Sequence, residues 1–214
     1  MANKVLVISG ISAVLFIGYL IYNSVTEPVF RQSDTSIDIA DDPAQKTLKD
    51  VTLAPMQLGS SRFFFDVKAS YTLKGMLVSK RRYSRGFMSR LSPYDYAIIW
   101  GKTIDMLPHL RFTQTYRYCL YNYKLSTPVD PKYVQSHMSN NHMIPSTQNI
   151  RKALKYAKKG DLVEIEGYLV YVTATSKNKG TSNWNSSLIR EDDGNGACEV
   201  IYITKLRIKD KIYE

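Results

Sequence analysis

The segment Leu162–Val172 constrains this chain more than any other. It follows directly on Gly160 and Asp161 and alternates apolar with polar side chains. A period of two sends neighbouring side chains to opposite faces of a strand. Val163, Ile165, Gly167, Leu169 and Tyr171 therefore share one largely apolar face, and Glu164, Glu166 and Tyr168 lie on the other. That is the pattern of a sheet packed on one side. Gly167 sits mid-strand, where a glycine marks a bend or bulge such as the corner of a small barrel. Upstream, Ser146–Lys159 places Ile150, Ala153, Leu154 and Ala157 at helical spacing. Ser146 is its candidate N-cap, and Lys158 and Lys159 suit its negative C-terminal end. Gly160 then stops the helix. A helix, a Gly-Asp turn and a strand with a central glycine together form a pattern of small closed barrels of the OB type.

Other strand signals surround this unit. Phe63–Val67, Ser70–Ser79 with its own central Gly75, Arg111–Leu125, Ser186–Glu191 and Ala197–Leu206 read as extended. Asp192–Gly196 joins the last two as a hairpin turn, because its glycines and Asn195 tolerate positive φ. Ser92–Gly101 predicts a short helix, with Ser92 as cap, Pro93 at the first position, Asp95 in the first turn and Ala97–Trp100 as its packing face. Arg81–Arg90 reads as a basic loop and Pro128–Pro145 as irregular. The expected fold class is mainly β with one or two short helices: a small OB-like β-barrel domain behind a single N-terminal transmembrane helix.

The transmembrane reading comes from Val5–Val25, 21 residues without a charge, against about 20 needed to cross a bilayer. A cleaved signal peptide has a shorter apolar core of about 7–15 residues and a small-residue cleavage site. Tyr19–Asn23 offers no such site, and Tyr19 and Tyr22 fit an interfacial belt. Lys4 precedes the span, and Glu27, Asp34, Asp38, Asp41 and Asp42 follow it with Arg31. The positive-inside tendency then leaves the N-terminus in the cytoplasm and the bulk of the chain outside, which in a bacterium is the periplasm. The organisation expected is a cytoplasmic N-terminus (1–4), a transmembrane helix (5–23), an acidic linker (24–50) and a β-rich extracytoplasmic domain (51–214). Within the linker, Asp41-Asp42-Pro43 opens a short helix through Lys49.

The net charge of +10 is unevenly spread. Residues 1–50 carry four basic and six acidic side chains, so residues 51–214 carry 25 and 13. A basic domain beside a membrane suits anionic lipid, a polyanion or an acidic partner. Arg81, Arg82, Arg85 and Arg117 form the candidate basic patch, and they interleave with Tyr83, Phe87, Tyr116 and Tyr118. OB-type barrels bind single strands with that chemistry, but the extracytoplasmic address makes nucleic acid the less expected polyanion. Cys119 and Cys198 could pair in an oxidising compartment, closing a loop worth about 4 kcal/mol on the chain-entropy model. Two unpaired buried cysteines are the alternative.

Ser139-Asn140-Asn141-His142 is the polar stretch that most invites a functional reading. His137 and His142 lack the spacing of a helical or finger-type zinc site and imply no third ligand. A hydrolase would pair His142 with Ser139, Ser187 or Cys198 and with Asp95 or Asp193, yet no nucleophile-elbow or papain-like motif is present. The turn at Asp192 lacks the EF-hand spacing for calcium. No catalytic residue, metal or cofactor is therefore expected. The alternative role for the His142 loop is to hydrogen-bond backbone and fix the approach to the following helix.

Four pieces in order resemble a family of uncharacterised bacterial proteins with one N-terminal anchor. They are Leu91–Asp95 with Trp100-Gly101; Ser139–His142 with Ile144-Pro145; Gly160-Asp161 with Val163 and Gly167–Val170; and Trp184, Ser186–Leu188, Arg190, Asp192, Gly194, Gly196 and Cys198-Glu199. The match spans residues 60–205 and implies an envelope address and a single domain, with nothing catalytic. The expected role is binding or scaffolding in an envelope assembly with protein partners. The candidate binding surface combines Trp100, Asn140, Asn141, His142, Trp184, Arg190 and Asp192.

Overall fold

The computed structural model describes residues 27–176, 180–189 and 198–214. The expected membrane span, the turn at Asp192–Gly196, and Arg190 and Asp192 themselves lie outside them. No helix among the described residues is long and apolar enough to cross a membrane.

The described fold is mainly β. Short strands β1 (Arg31–Gln32), β2 (Ala44–Thr47) and β3 (Met56–Leu58) precede β4, a strand of 22 residues (Ser61–Arg82). Then come β5 (Tyr94–Ile99), helix α1 (Thr103–Met106), the hairpin β6 (Arg111–Thr115) and β7 (Tyr118–Asn122), and helix α2 (Pro131–Ser136). The chain continues through β8 (Met138–Pro145), helix α3 (Gln148–Ala153), β9 (Leu162–Ser176), β10 (Gly180–Asn185), β11 (Glu199–Ile208) and β12 (Lys211–Tyr213).

Five strands pair in a cycle. β4 is antiparallel to β5 and β9, β5 is antiparallel to β8, β8 runs parallel to β11, and β11 is antiparallel to β9. α3 connects β8 to β9. β10 extends β9, β12 and β1 extend β11, and β2 and β3 lie along β4. β6 and β7 form a separate two-stranded hairpin between β5 and β8 in the chain.

The central strand buries the expected face as far as Leu169 and the opposite face beyond it. Val163, Ile165 and Leu169 join Tyr71, Leu73, Tyr96, Ile98, Met143, Ile201 and Ile203 in the larger apolar core, which α3 closes with Ile150, Ala153 and Leu154. Beyond Leu169 the buried positions shift by one, and Val170, Val172 and Ala174 pack with Phe63, Phe65 and Val67 in a second core. Tyr171 is consequently only half-buried. On β4 the register slips between Val67 and Ala69, leaving Lys68 as the extra residue. Such a bulge lets the odd positions of β4 face first one core and then the other. Gly167 marks a close approach, as its place mid-strand suggests: a Cβ there would lie 2.0 Å from the Tyr202 carbonyl oxygen.

The helix before the central strand is shorter than its pattern, and Thr147 caps it instead of Ser146, accepting the Ile150 amide at 3.1 Å. Lys80 crosses from β4 to donate to the carbonyls of Lys155 and Ala157, where the negative end of the helix favours a cation.

Several expectations are corrected: residues 186–189, expected to begin a strand, form none, and Arg81 and Arg82, expected in a loop, end β4. Ser92–Gly101 is not a helix: Tyr94–Ile99 is β5, hydrogen-bonded on both sides by β4 and β8. The capping signal at Ser92 and Pro93 loses to a run that is aromatic and β-branched and is buried on both faces. The Ser139–His142 stretch is not a loop, because it lies inside β8 and is buried throughout. Asp41–Lys49 is not helical: Ala44–Thr47 pairs with Ala69–Thr72. Residues 27–50, read as a linker, thus add strands to the sheet at both β1 and β2.

Candidate functional site

Asp95 on β5 and His142 on β8 are direct cross-strand partners, so their side chains share one face of the sheet. Asp95 is fully buried (0% exposed). Its Oδ1 accepts from Arg117 Nη1 at 2.9 Å. His142 Nδ1 lies 2.9 Å from the same oxygen, close enough for an ion pair but off the hydrogen-bond direction. Asp95 Oδ2 has no hydrogen-bond partner among the described residues.

Arg117 reaches this carboxylate from the tip of the β6–β7 hairpin. Tyr116 and Arg117 are the two turn residues, with φ of 45° and 66°. Two positive φ values match the right-handed twist of a hairpin, yet the turn usually takes Asn and Gly. Side chains as large as these pay roughly 1–2 kcal/mol each in that conformation. Strain of this kind persists only where the surroundings hold it. Here they do. Arg117 Nη2 donates to the Ser92 carbonyl at 3.0 Å, and the guanidinium lies 4.1 Å from the centre of the Tyr83 ring and 5.1 Å from Trp184. The Trp184 ring in turn lies 4.5 Å from the His142 ring. Asn140 ties the hairpin down from below, donating to the Arg117 carbonyl at 2.7 Å and accepting from Gln114 Nε2 at 3.0 Å.

The electrostatics follow from burial. Burial, then the Asp95 charge, pushes the Tyr83 hydroxyl up to about 12. Burial, then Cys198, pushes the Cys119 thiol up to about 12. Cys119 and Cys198 are not joined in a disulfide. The Cys198 sulfur accepts from Asn140 Nδ2 at 3.4 Å, so the pairing weighed from sequence is not made. No group of three or more His, Cys, Asp or Glu that could hold a metal occurs among the described residues.

An open cleft of about 420 Å³ adjoins the cluster, lined among others by Arg85, Phe87, Ser182 and Trp184 and by Arg117. Its size suits a small ligand or a few residues of a partner.

Of the candidate residues, the fold brings Asn140, His142, Trp184 and Arg117 together. Asn141 alternates to the other face, donating to Ser139 Oγ and the Tyr96 carbonyl. Trp100 lies apart in the larger core, its indole N–H donating to Asp42 at 2.8 Å. The basic patch divides: Arg81 donates to the Gln114 carbonyl and Arg117 is paired with Asp95, while Arg82 and Arg85 are exposed. Of the nucleophiles considered beside His142, Ser139 hydrogen-bonds Asn141, Cys198 hydrogen-bonds Asn140, and Ser187 Oγ bonds the backbone of Ile189. Gln114 and Ser92 were not legible as site residues. Gln114 carries one signal, as a polar residue on the inward side of an alternating strand. Comparison with known proteins finds no counterpart: no family model, no curated protein and no solved structure matches the chain.

Proposed function

We propose that this chain is a single-pass membrane protein of the bacterial envelope whose β domain is an OB-like barrel that binds a partner and does no chemistry. The anchor in this reading is residues 5–23, within the uncharged run Val5–Val25, and the charges around it favour a periplasmic domain. The resemblance to single-anchor envelope proteins points the same way. The barrel reading is supported by the cycle of five pairings, with a helix between its third and fourth strands. OB barrels bind through the face of their second and third strands and through the loops after the first and fourth.

One observation carries the binding role: the Asp95, His142, Arg117 and Trp184 cluster lies on that face. β5 and β8 are the second and third strands of the cycle. The loop after β4 supplies Arg85 and Phe87, and Trp184 follows β9. His142 is 3% exposed beneath Trp184, which suits a residue that holds the surface rather than one that meets substrate. A second reading, polyanion binding, is favoured by the exposed Arg85 in the cleft lining, with Arg82 also exposed at the end of β4. It predicts affinity that falls steeply with salt.

The test is purification of the full-length tagged protein from membranes in mild detergent, with identification of whatever co-purifies in stoichiometric amount. The expected result is an envelope partner that Trp184→Ala or Arg85→Glu releases while the chain stays folded. A partner that both variants retain would remove the cleft from the account. A chain washed from membranes by alkali would remove the anchor.

A further inference from the structure

From Glu27 onward the chain is fastened to the domain at closely spaced points. The Tyr156 hydroxyl donates to Glu27. Asn149 clamps Val29 on both sides, accepting from its N–H at 2.7 Å and donating to its carbonyl at 2.8 Å, and also donates to the Glu214 carbonyl at 3.0 Å. Arg31 and Gln32 pair with Ile212 and Lys211, and the Ser33 amide donates to Asp210 at 2.7 Å. Four peptide steps separate Asn23 from Glu27, and at full extension they reach about 14 Å. A head-group layer is itself about 6 Å deep. The edge of the domain then lies within about 10 Å of the head groups, roughly one Debye length.

The chemistry of that edge is suited to such a position. Val29 and Phe30 are 76% and 46% exposed although both are apolar. The Phe30 ring packs against Tyr213 at 6.0 Å, and Lys211 Nζ lies 4.4 Å from its centre. Lys155 lies over the Tyr156 ring beside Glu27, and Lys158 and Lys159 are exposed in the turn that follows. The acidic groups at the edge are engaged: Glu27 by Tyr156, Asp210 by Gln32, and Glu214 by Arg31 at 4.0 Å. Exposed apolar and aromatic side chains flanked by lysines are the composition of a membrane-interface segment.

We propose that the edge formed by Val29, Phe30, Lys155 and Lys211 rests on the anionic phospholipid head groups of the membrane that carries the anchor. The domain is then held flush against the bilayer in one orientation. This rests on the anchor proposed above.

The experiment uses the full chain reconstituted in vesicles of zwitterionic lipid, with and without anionic phosphatidylglycerol, both carrying a bromine quencher near the head-group end of the acyl chains. A tryptophan is placed at the exposed edge by Val29→Trp, and on the separate hairpin by Tyr116→Trp as reference. The expected result is loss of the added emission at position 29 and none at position 116. The loss should be deeper in anionic vesicles, and Lys155→Glu with Lys211→Glu should reverse it. Equal quenching at the two positions, or quenching at 29 indifferent to lipid charge, overturns the proposal and leaves the anchor standing. A chain extracted by alkali overturns both.

Discussion

Both faces of β5 are buried, and at Asp95 the forces that hold them differ, although Ala97 and Ile99 farther along that face are apolar. Tyr96 and Ile98 point into the larger core, where stabilisation grows with the apolar area removed from water. Asp95, on the other face, is held by Arg117 and His142. In the core a lost methyl group is a small, local loss. In the charged cluster each group is tolerable only because its partner is present, so losing one exposes the others to the full cost of burial. The apolar packing is graded and forgiving, and the charged cluster at Asp95 is closer to all-or-none.

The largest expected effect tests the polar face. Asp95→Ala should cost about 3–5 kcal/mol in chemical denaturation, because it strands the Arg117 charge in a partly buried site. Adding Arg117→Ala should cost much less than the sum of the two single changes. Full additivity would mean that the pair does not act as a unit, and the contrast would fail. Gly167→Ala comes next, at about 1–3 kcal/mol, since the new methyl meets backbone that has no side chain to swing aside. Ile201→Val should cost only about 1 kcal/mol, the graded response of a packed apolar site. A loss as large as that of Asp95→Ala would erase the distinction.

A separate test is a pH dependence at the edge of the cluster. The Tyr83 hydroxyl is raised from 10.0 to about 12 by burial and then by the Asp95 charge. A folded-state value above the unfolded one means that the native protein holds this proton more tightly. The resulting stability is fully present below pH 10 and is lost as the pH rises towards 12. Cys119, raised from 9.0 to about 12, works in the same direction from a lower starting point. Midpoints of denaturation measured from pH 8 to 12 should therefore fall less in Tyr83→Phe and in Cys119→Ser than in the parent. Identical slopes would detach both groups from the argument.

The contrast between the faces also explains what was legible in the sequence. Apolar periodicity reports burial, so Leu162–Val172, the presence though not the full length of the helix before it, and the extended Arg111–Leu125 could be read from the sequence. The candidate site depends on register. Asp95 meets His142 only because Tyr94–Ile99 and Met138–Pro145 are neighbouring strands, and both were read as something else. A serine, a proline and an aspartate in a row look like a helix start, and a serine, two asparagines and a histidine look like a loop, because local propensity ignores the partners that a buried strand will find. Asn140, His142, Trp184 and Arg117 could be singled out as polar or aromatic residues, but nothing local says that Arg117 points back into the domain. Trp100 failed for the converse reason: an aromatic residue in a polar neighbourhood can as readily be core.

The cycle of pairings has a consequence for how the protein is made. β4, with 22 residues, pairs along most of its length with β9, and the cycle closes only when β11 meets β8. More than a hundred residues separate the end of β4 at Arg82 from β11 at Glu199–Ile208. At a synthesis rate of about 5–20 residues per second, the long strand waits on the order of ten seconds for the segment that completes its sheet. Until then β8 and the first half of β9, the two strands that β11 pairs with, keep edges open to any other extended chain. A nascent chain of this protein thus needs either shielding or isolation until β11 has emerged.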